Sequence, residues 1–455
     1  MVSFIHHELV NELERELFKR WICSDRNLRE FIIASILIRN NKVLLVGFPG
    51  TGKSTLIRLI AKALSKDVKD AKRKVFGIAI GAPEKTLQKV LVSTDIVKLL
   101  TTGEEVILVR PIVSAKIKFI NEINRFSKSV QDALLSMLEE GYLEYGGAVF
   151  RTPEYICFAD MNPFRGDIDR ALKTRFWGSC YIDFPDLGGS SRILRMLMES
   201  ESETSYPDVV RTMPEILSLE ELKEVWLDVM KVEVPEIVKI FTLMLVSMFR
   251  VCKYGRSLVG YMRLKCTDCE YSNEPCALVQ EPPDERANIA MLSYARARAW
   301  LKRRSYVVFE DVVWAAPFVL AHRVEFRPLV KSRAANPWEL VRQIVSEIQN
   351  TKLAIDDEVG SWLRALGLVC VILKMEPIGK LKDIVAEINK AVRDELDALK
   401  ELEKLAYGEF GRGDLVIQQL YGFVRDELYE KIGRLKEGLE AEMRRILSKA
   451  DLRLY

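Results

Sequence analysis

The run Val43-Leu44-Leu45-Val46 ends in Gly47-Phe48-Pro49-Gly50-Thr51-Gly52-Lys53-Ser54 and passes through Thr55 into the apolar segment LIRLIAKAL. No other feature of the chain constrains its fold so tightly. A G-x-x-x-x-G-K-S run set between a buried strand and an amphipathic helix is the signature of a phosphate-binding loop. The glycines let successive backbone N–H groups turn inward around a β-phosphate, and the positive end of the helix adds to their field. Gly47, Pro49, Gly50, Thr51, Gly52 and Thr55 thereby frame the loop. Lys53 is spaced to reach the β- and γ-phosphates, and the Ser54 hydroxyl to bind Mg²⁺. ATP is preferred over GTP as the ligand, although the loop by itself does not choose.

The surrounding pattern fits such a loop. Between residues 43 and 185 short apolar runs (VLLVG, KVFGIAI, IKFIN, YICFA, CYIDF) alternate with helical segments, which predicts a parallel sheet covered on both faces. From about Glu215 to Arg333 helical periodicity takes over, broken by a polar, cysteine-bearing stretch. At 455 residues the chain exceeds one core, since cores stop growing near ~250–300 residues. The expected division is an α/β core with N-terminal helices over 1–210, a helical lid over 211–335 carrying an insertion at 252–276, and a C-terminal helical segment over 336–455. In that last segment Leu381, Val385, Ile388, Val392, Leu396, Leu399 and Leu402, then Ile417, Leu420, Val424, Leu428, Ile432, Leu435 and Leu439, recur at three- and four-residue steps. Gly408, Gly411 and Gly413 stand between the two stripes, so a coiled-coil-like hairpin able to dock a partner is predicted.

Composition narrows the classes. With 68 basic and 65 acidic residues the net charge is +3, so no large one-sided field advertises nucleic acid or an anionic membrane, and only local basic patches are left to serve one. No stretch reaches the ~20 apolar residues a bilayer span needs, and the N-terminal MVSFIHHELVNELEREL reads as an amphipathic helix, so a cytoplasmic location is expected. The three histidines are too scattered for a metal triad.

A second site element is IKFINEINR, a buried strand whose end presents Asn121 and Glu122. Open α/β sheets hold ligands at such strand ends, and a carboxylate there can polarise the water that attacks a γ-phosphate. Glu122 is therefore the expected catalytic base.

The stretch INEINRFSKSVQDALLSMLEEGYLEYGG resembles the MoxR group of AAA+ proteins, in which an apolar strand, DEINR, a helix and a hairpin follow in that order. CFADMNP is similar to the group's strand ending in a γ-phosphate-sensing asparagine, here Asn162. ALKTRFWGSCYIDFP resembles the segment bearing the arginine finger, which makes Arg175 the finger that reaches a neighbouring subunit's nucleotide, with Arg170 as the fallback. DERANIAMLSYARARAWLKRRSYVVFEDVVWAAPFVLAHRV looks like the group's lid, which makes Arg286 the lid arginine that touches bound phosphate. STDIVKLLTTGEEVILVRP holds the position of the group's pore-facing helix and its flanking strands. The resemblance spans roughly residues 25–330. It implies an ATP- and Mg²⁺-dependent hydrolase working as a closed ring, six subunits being the family's number, on a partner protein that in this group commonly bears a von Willebrand A domain. One departure stands out: the acidic residue that precedes the catalytic glutamate in the family is Asn121 here. A neutral amide at a metal position predicts weaker Mg²⁺ binding and slower hydrolysis.

Cys266, Cys269 and Cys276 form C-x₂-C-x₆-C with Cys252 upstream, a set that could enclose Zn²⁺ or, with the same ligands, an iron-sulfur cluster. Cys23, Cys157, Cys180 and Cys370 lie alone in apolar runs and read as core filler. Two other functions remain open at this level. Local basic runs such as LKRRSY would suit a nucleic-acid translocase of the restriction type, and Asn121 would suit an ATP switch that scarcely hydrolyses.

Overall fold

The computed structural model describes residues 2–66, 75–198, 206–252, 269 and 275–351. The predicted C-terminal hairpin, Cys370 and Cys266 lie outside them. The chain divides into two compact units, Met1–Val234 with Pro283–Arg342, and Pro235–Pro282 with Gln343–Tyr455.

In the first unit a five-stranded sheet has the order β2-β5-β8-β1-β9, with β1 at Lys42–Val46, β2 at Phe76–Ile80, β5 at Ile117–Asn121, β8 at Ile156–Met161 and β9 at Gly178–Tyr181. Its neighbours all pair in parallel, as the strand-helix alternation predicts. Burial explains their sequences. β1 and β8 are buried at every position and so read as unbroken apolar runs. The edge strand β2 alternates, leaving Ile78 and Ile80 exposed. Lys118 breaks the apolar run of β5 yet is fully buried. Its ammonium donates to the carbonyls of Ile112, Val113 and Ala115 at 2.9, 2.6 and 2.9 Å, which uses all its donors.

Two outgrowths of the sheet match the resemblance. The helix Ile96–Thr102 stands between β3 (Val92–Thr94) and β4 (Ile107–Val109), which pair antiparallel. It has no buried residue and exposes Ile96, Val97, Leu99 and Leu100. The helix Lys128–Glu140 leads into the hairpin of β6 (Tyr142–Tyr145) and β7 (Ala148–Arg151), whose turn Gly146-Gly147 takes positive φ at both residues.

The helices Arg286–Leu301 and Phe309–Leu320 complete the first unit. They bury an aromatic stack in which Phe31, from the helix Arg26–Ile36, lies 5.1 Å from Tyr294 and 4.2 Å from Phe318. The fully buried Trp300 donates from Nε1 to Asp228 Oδ2 at 2.8 Å. The N-terminal amphipathic helix is present at His7–Arg20 and buries Val10, Leu13, Leu17 and Phe18. In the second unit the described helix Glu236–Met248 buries Val238, Phe241, Leu245 and Val246. No helix among the described residues is long and apolar enough to cross a membrane.

Candidate nucleotide site

The loop after β1 folds as its spacing requires. Gly50 and Gly52 adopt φ of +83° and +78°, a region that side chains other than glycine enter at a cost. A Cβ on Gly47 would stand 2.2 Å from the Ile182 carbonyl, so glycine alone lets the loop leave the sheet beside β9. The helix Lys53–Ala63 then begins at the loop. Lys53 is 7% exposed, and its ammonium donates to Gly47 O at 2.9 Å, Phe48 O at 2.6 Å and Thr51 Oγ1 at 3.3 Å. Burial lowers its pKa, while the charges of Asp160 and then Glu122 oppose that fall.

A cavity of about 360 Å³ opens over the loop, lined by Pro49, Gly50, Thr51, Gly52, Lys53, Ser54, Thr55, Asn121, Glu122, Asp160 and Asn162. The structure thus gathers at one place the loop, Asn121, Glu122 and Asn162, which the sequence distributes over more than a hundred residues. Gly47 stays behind the lining as a packing residue. Asn121 donates from Nδ2 to Ser54 Oγ at 3.2 Å. Glu122 turns out of β5 in the left-handed region, φ 52° and ψ 52°. Its carboxylate pairs with Arg125 at 2.6 Å and Arg165 at 3.7 Å. Asn162 points its side-chain oxygen at the Phe164 N–H, 3.1 Å away. The donors along this wall are hydroxyl, carboxylate and amide oxygens, the chemistry a hard divalent cation takes when phosphates and water supply its other ligands, so the residues present fit Mg²⁺ on a nucleotide.

Beside this cavity lies another of about 550 Å³, whose lining includes Trp21, Ile22, Cys23, Thr51, Tyr181 and Leu194. Trp21 Nε1 donates to Gly52 O at 3.2 Å. Burial pushes the Cys23 thiol up to about 11, so this cysteine is a neutral lining group.

Arg175 and Arg286 do not line the cavity over the loop. Both meet Glu139, at the end of the helix Lys128–Glu140: Arg175 Nε lies 3.3 Å from Oε2 and Arg286 donates to Oε1 at 2.7 Å. Arg286 also donates to Asp284 at 3.2 Å. Arg170 opens the short helix Arg170–Lys173. The expected zinc or iron-sulfur centre finds no support. Among the described residues no group of three or more His, Cys, Asp or Glu is placed to hold a metal, and Cys266 falls outside them.

Sequence reasoning missed Asp160, Arg125, Arg165, Glu139 and, apart from the loop residues, the lining of the larger cavity. Only Asp160 carried a usable signal, a lone acid inside the otherwise apolar run YICFADM.

A parallel sheet with a phosphate loop at the end of β1, a glutamate at the end of β5 with β8 between the two strands, and a helical lid defines a P-loop protein of the AAA+ class. Comparison with known proteins agrees. Residues 42–176 match the AAA domain of the dynein-related subfamily and residues 283–348 an AAA lid domain. The chain is 25% identical to protein MoxR of Methylorubrum extorquens over 71% of its own length and 89% of the relative's. It is 26% identical to chaperone MoxR1 of Mycobacterium tuberculosis over 69% and 76%, and 22% identical to the uncharacterised protein YeaC of Bacillus subtilis over 73% and 92%. A crystal structure from Cytophaga hutchinsonii, provisionally described as an ATPase, shares the fold with a TM-score of 0.60 at 19% identity, covering 76% of this chain and 94% of that one. The chain thus carries an AAA domain with its lid and is similar in sequence to the MoxR-type AAA+ proteins.

Proposed function

We propose that the chain hydrolyses ATP as a closed ring and uses the cycle to remodel or mature a partner protein. The observation that carries this reading is the division of its catalytic set. Lys53, Ser54, Asn121, Glu122 and Asn162 face one cavity, while Arg175 and Arg286 share Glu139 away from it. A site whose expected finger and lid arginines lie elsewhere on the same chain suits completion by a second copy, and a head-to-tail contact of that kind forms a ring when its rotation closes. Exposed apolar residues support a subunit contact on this side of the molecule. Leu187, Leu194 and Met198 stand out from the helix Leu187–Met198, and the exposed Phe164 and Phe184 flank Phe48 of the loop.

In this reading the loop amides and Lys53 hold the β- and γ-phosphates. Glu122 takes a proton from the water whose oxygen attacks the terminal phosphorus, and the bond to the β–γ bridging oxygen breaks as Arg175 of a neighbouring copy compensates the developing charge. Asn162 orients the γ-phosphate. Mg²⁺, when bound, neutralises charge between the two phosphates. The larger cavity beside Trp21 suits the nucleoside half. The exposed apolar helix Ile96–Thr102 offers a surface for a client at the pore. A partner with a von Willebrand A domain and six subunits follow from the MoxR resemblance. Glu122→Gln should stop phosphate release while leaving ATP affinity within a few-fold, and the trapped ring should retain clients in a pull-down. Undiminished turnover in that variant would remove Glu122 from its role.

A further inference from the structure

Asn121 takes the metal-facing position in the site without the negative charge such a position uses, but the strand beside it supplies one. β5 and β8 run parallel with Ile120 opposite Ala159, so one step further along the register Asn121 stands beside Asp160. Side-by-side residues of a parallel pair project from the same face, about 4.8 Å apart. Asp160 lines the cavity with Ser54, Lys53 and Glu122 and is only 5% exposed. Its Oδ2 lies 3.4 Å from Asn121 Nδ2, the same amide that donates to Ser54 Oγ at 3.2 Å. Its Oδ1 accepts the Glu122 N–H at 2.6 Å. Ser54, Asn121 and Asp160 thus form one continuous row of polar side chains across the loop helix and two strands.

We propose that Asp160 is the carboxylate that holds the Mg²⁺ of the bound nucleotide, in place of the acid that Asn121 lacks. The proposal rests on the nucleotide-binding reading above. Moving the acid to the neighbouring strand keeps the charge of the pair and shifts it by one strand spacing, toward β1 and the loop. A buried carboxylate is costly without a compensating cation, and Asp160 meets no arginine or lysine in a direct ion pair among the described residues. Its side-chain contacts are the Glu122 amide and Asn121, which leave spare acceptor capacity on both oxygens of a residue that lines the cavity. A merely structural Asp160, present to anchor the Glu122 turn, needs only an acceptor oxygen, which asparagine also offers.

That difference makes the test. The full-length protein, Asp160→Asn, Asn121→Asp and the exchange Asn121→Asp/Asp160→Asn are titrated with a fluorescent ATP analogue in EDTA and in Mg²⁺, and Mn²⁺ affinity of each ADP complex is read by electron paramagnetic resonance. Asp160→Asn should bind nucleotide in EDTA as the parent does but lose at least the about 10- to 100-fold in Mn²⁺ affinity that removing even an outer-shell partner of a metal ligand typically costs. The exchange variant, which preserves charge and both acceptors, should recover most of it. Unchanged Mn²⁺ affinity in Asp160→Asn, or no recovery in the exchange variant, would overturn the proposal. If Asp160→Asn does not fold, Mn²⁺ affinity of the exchange variant within a few-fold of the parent supports the proposal and a larger loss overturns it. Failure of the parent to bind nucleotide in EDTA would instead sink the nucleotide-binding reading, so the two failures are read in different columns of the same experiment.

Discussion

Glu122 occupies a backbone conformation that a non-glycine residue adopts at a cost of about 1–3 kcal/mol, and the surroundings that hold it there are specific. Asp160 accepts its N–H, its own carbonyl accepts the Arg125 N–H at 2.9 Å, and Gly81 donates to Asn121 O at 2.7 Å directly before the turn. A Cβ on Gly81 would sit 2.0 Å from the Glu122 carbonyl oxygen. Gly81→Ala should therefore displace the turn, lowering unfolding stability by about 1–3 kcal/mol and turnover far more than nucleotide affinity. Chemical denaturation run alongside ATPase and binding assays checks this, and parental turnover in the variant would refute it. Glu122 itself was legible in the sequence because an acid at the end of a buried apolar strand is a local feature. Its left-handed turn and the arginines on its carboxylate were not, because Arg165 reaches it from the loop after a different strand.

Among the elements, the lid segment is fixed to the end of β9 by a pair of adjacent residues, His322 and Arg323. His322 Nε2 lies 2.8 Å from Phe176 O and can only donate to it, which leaves Nδ1 to accept from Ser179 Oγ, also at 2.8 Å. Arg323 donates to the carbonyls of Phe176 at 2.6 Å and Trp177 at 3.1 Å and pairs with Asp284 at 3.2 Å. Burial, with Arg323 beside it, drives the His322 pKa well below the imidazole range, so the folded protein keeps the ring neutral while the unfolded chain takes up a proton below about pH 6.5. The unfolded state then binds more protons. Stability is consequently present above that pH and lost as pH falls through it, by up to about 1.4 kcal/mol per pH unit. His322→Gln should be less stable near neutrality but should lack this component of the slope between pH 7 and 5, measured as the unfolding midpoint. An unaltered slope would show that other groups carry it. The strand runs from VLLVG to YICFA were readable because burial on both faces leaves unbroken apolar sequence. The lid clamp was not, since HR after an apolar helix has no local signature of what it will touch.

At the scale of the whole molecule, the proposed ring makes a prediction that no single chain could satisfy. If Glu122 acts on its own cavity and Arg175 on a neighbour's, Arg175→Ala should abolish turnover without weakening ATP binding. Mixing it with Glu122→Gln subunits should then restore part of the activity, because some interfaces pair an intact base with an intact arginine. Two dead variants that stay dead in every mixing ratio, while still assembling together, would count against shared sites. The sequence by itself determined the phosphate loop, the buried strands and the helical lid and nominated Lys53, Ser54 and Glu122, because each follows from residue spacing within one strand-turn-helix step, whereas Asn162 was nominated by the resemblance to the MoxR group. Only the tertiary structure decided that Asp160 stands beside Asn121 and that Arg175 and Arg286 meet on Glu139. Those meetings depend on the sheet order β2-β5-β8-β1-β9 and on the folding of the lid onto the N-terminal helices. Hydrophobic periodicity records which face of an element is buried, but not which distant element buries it.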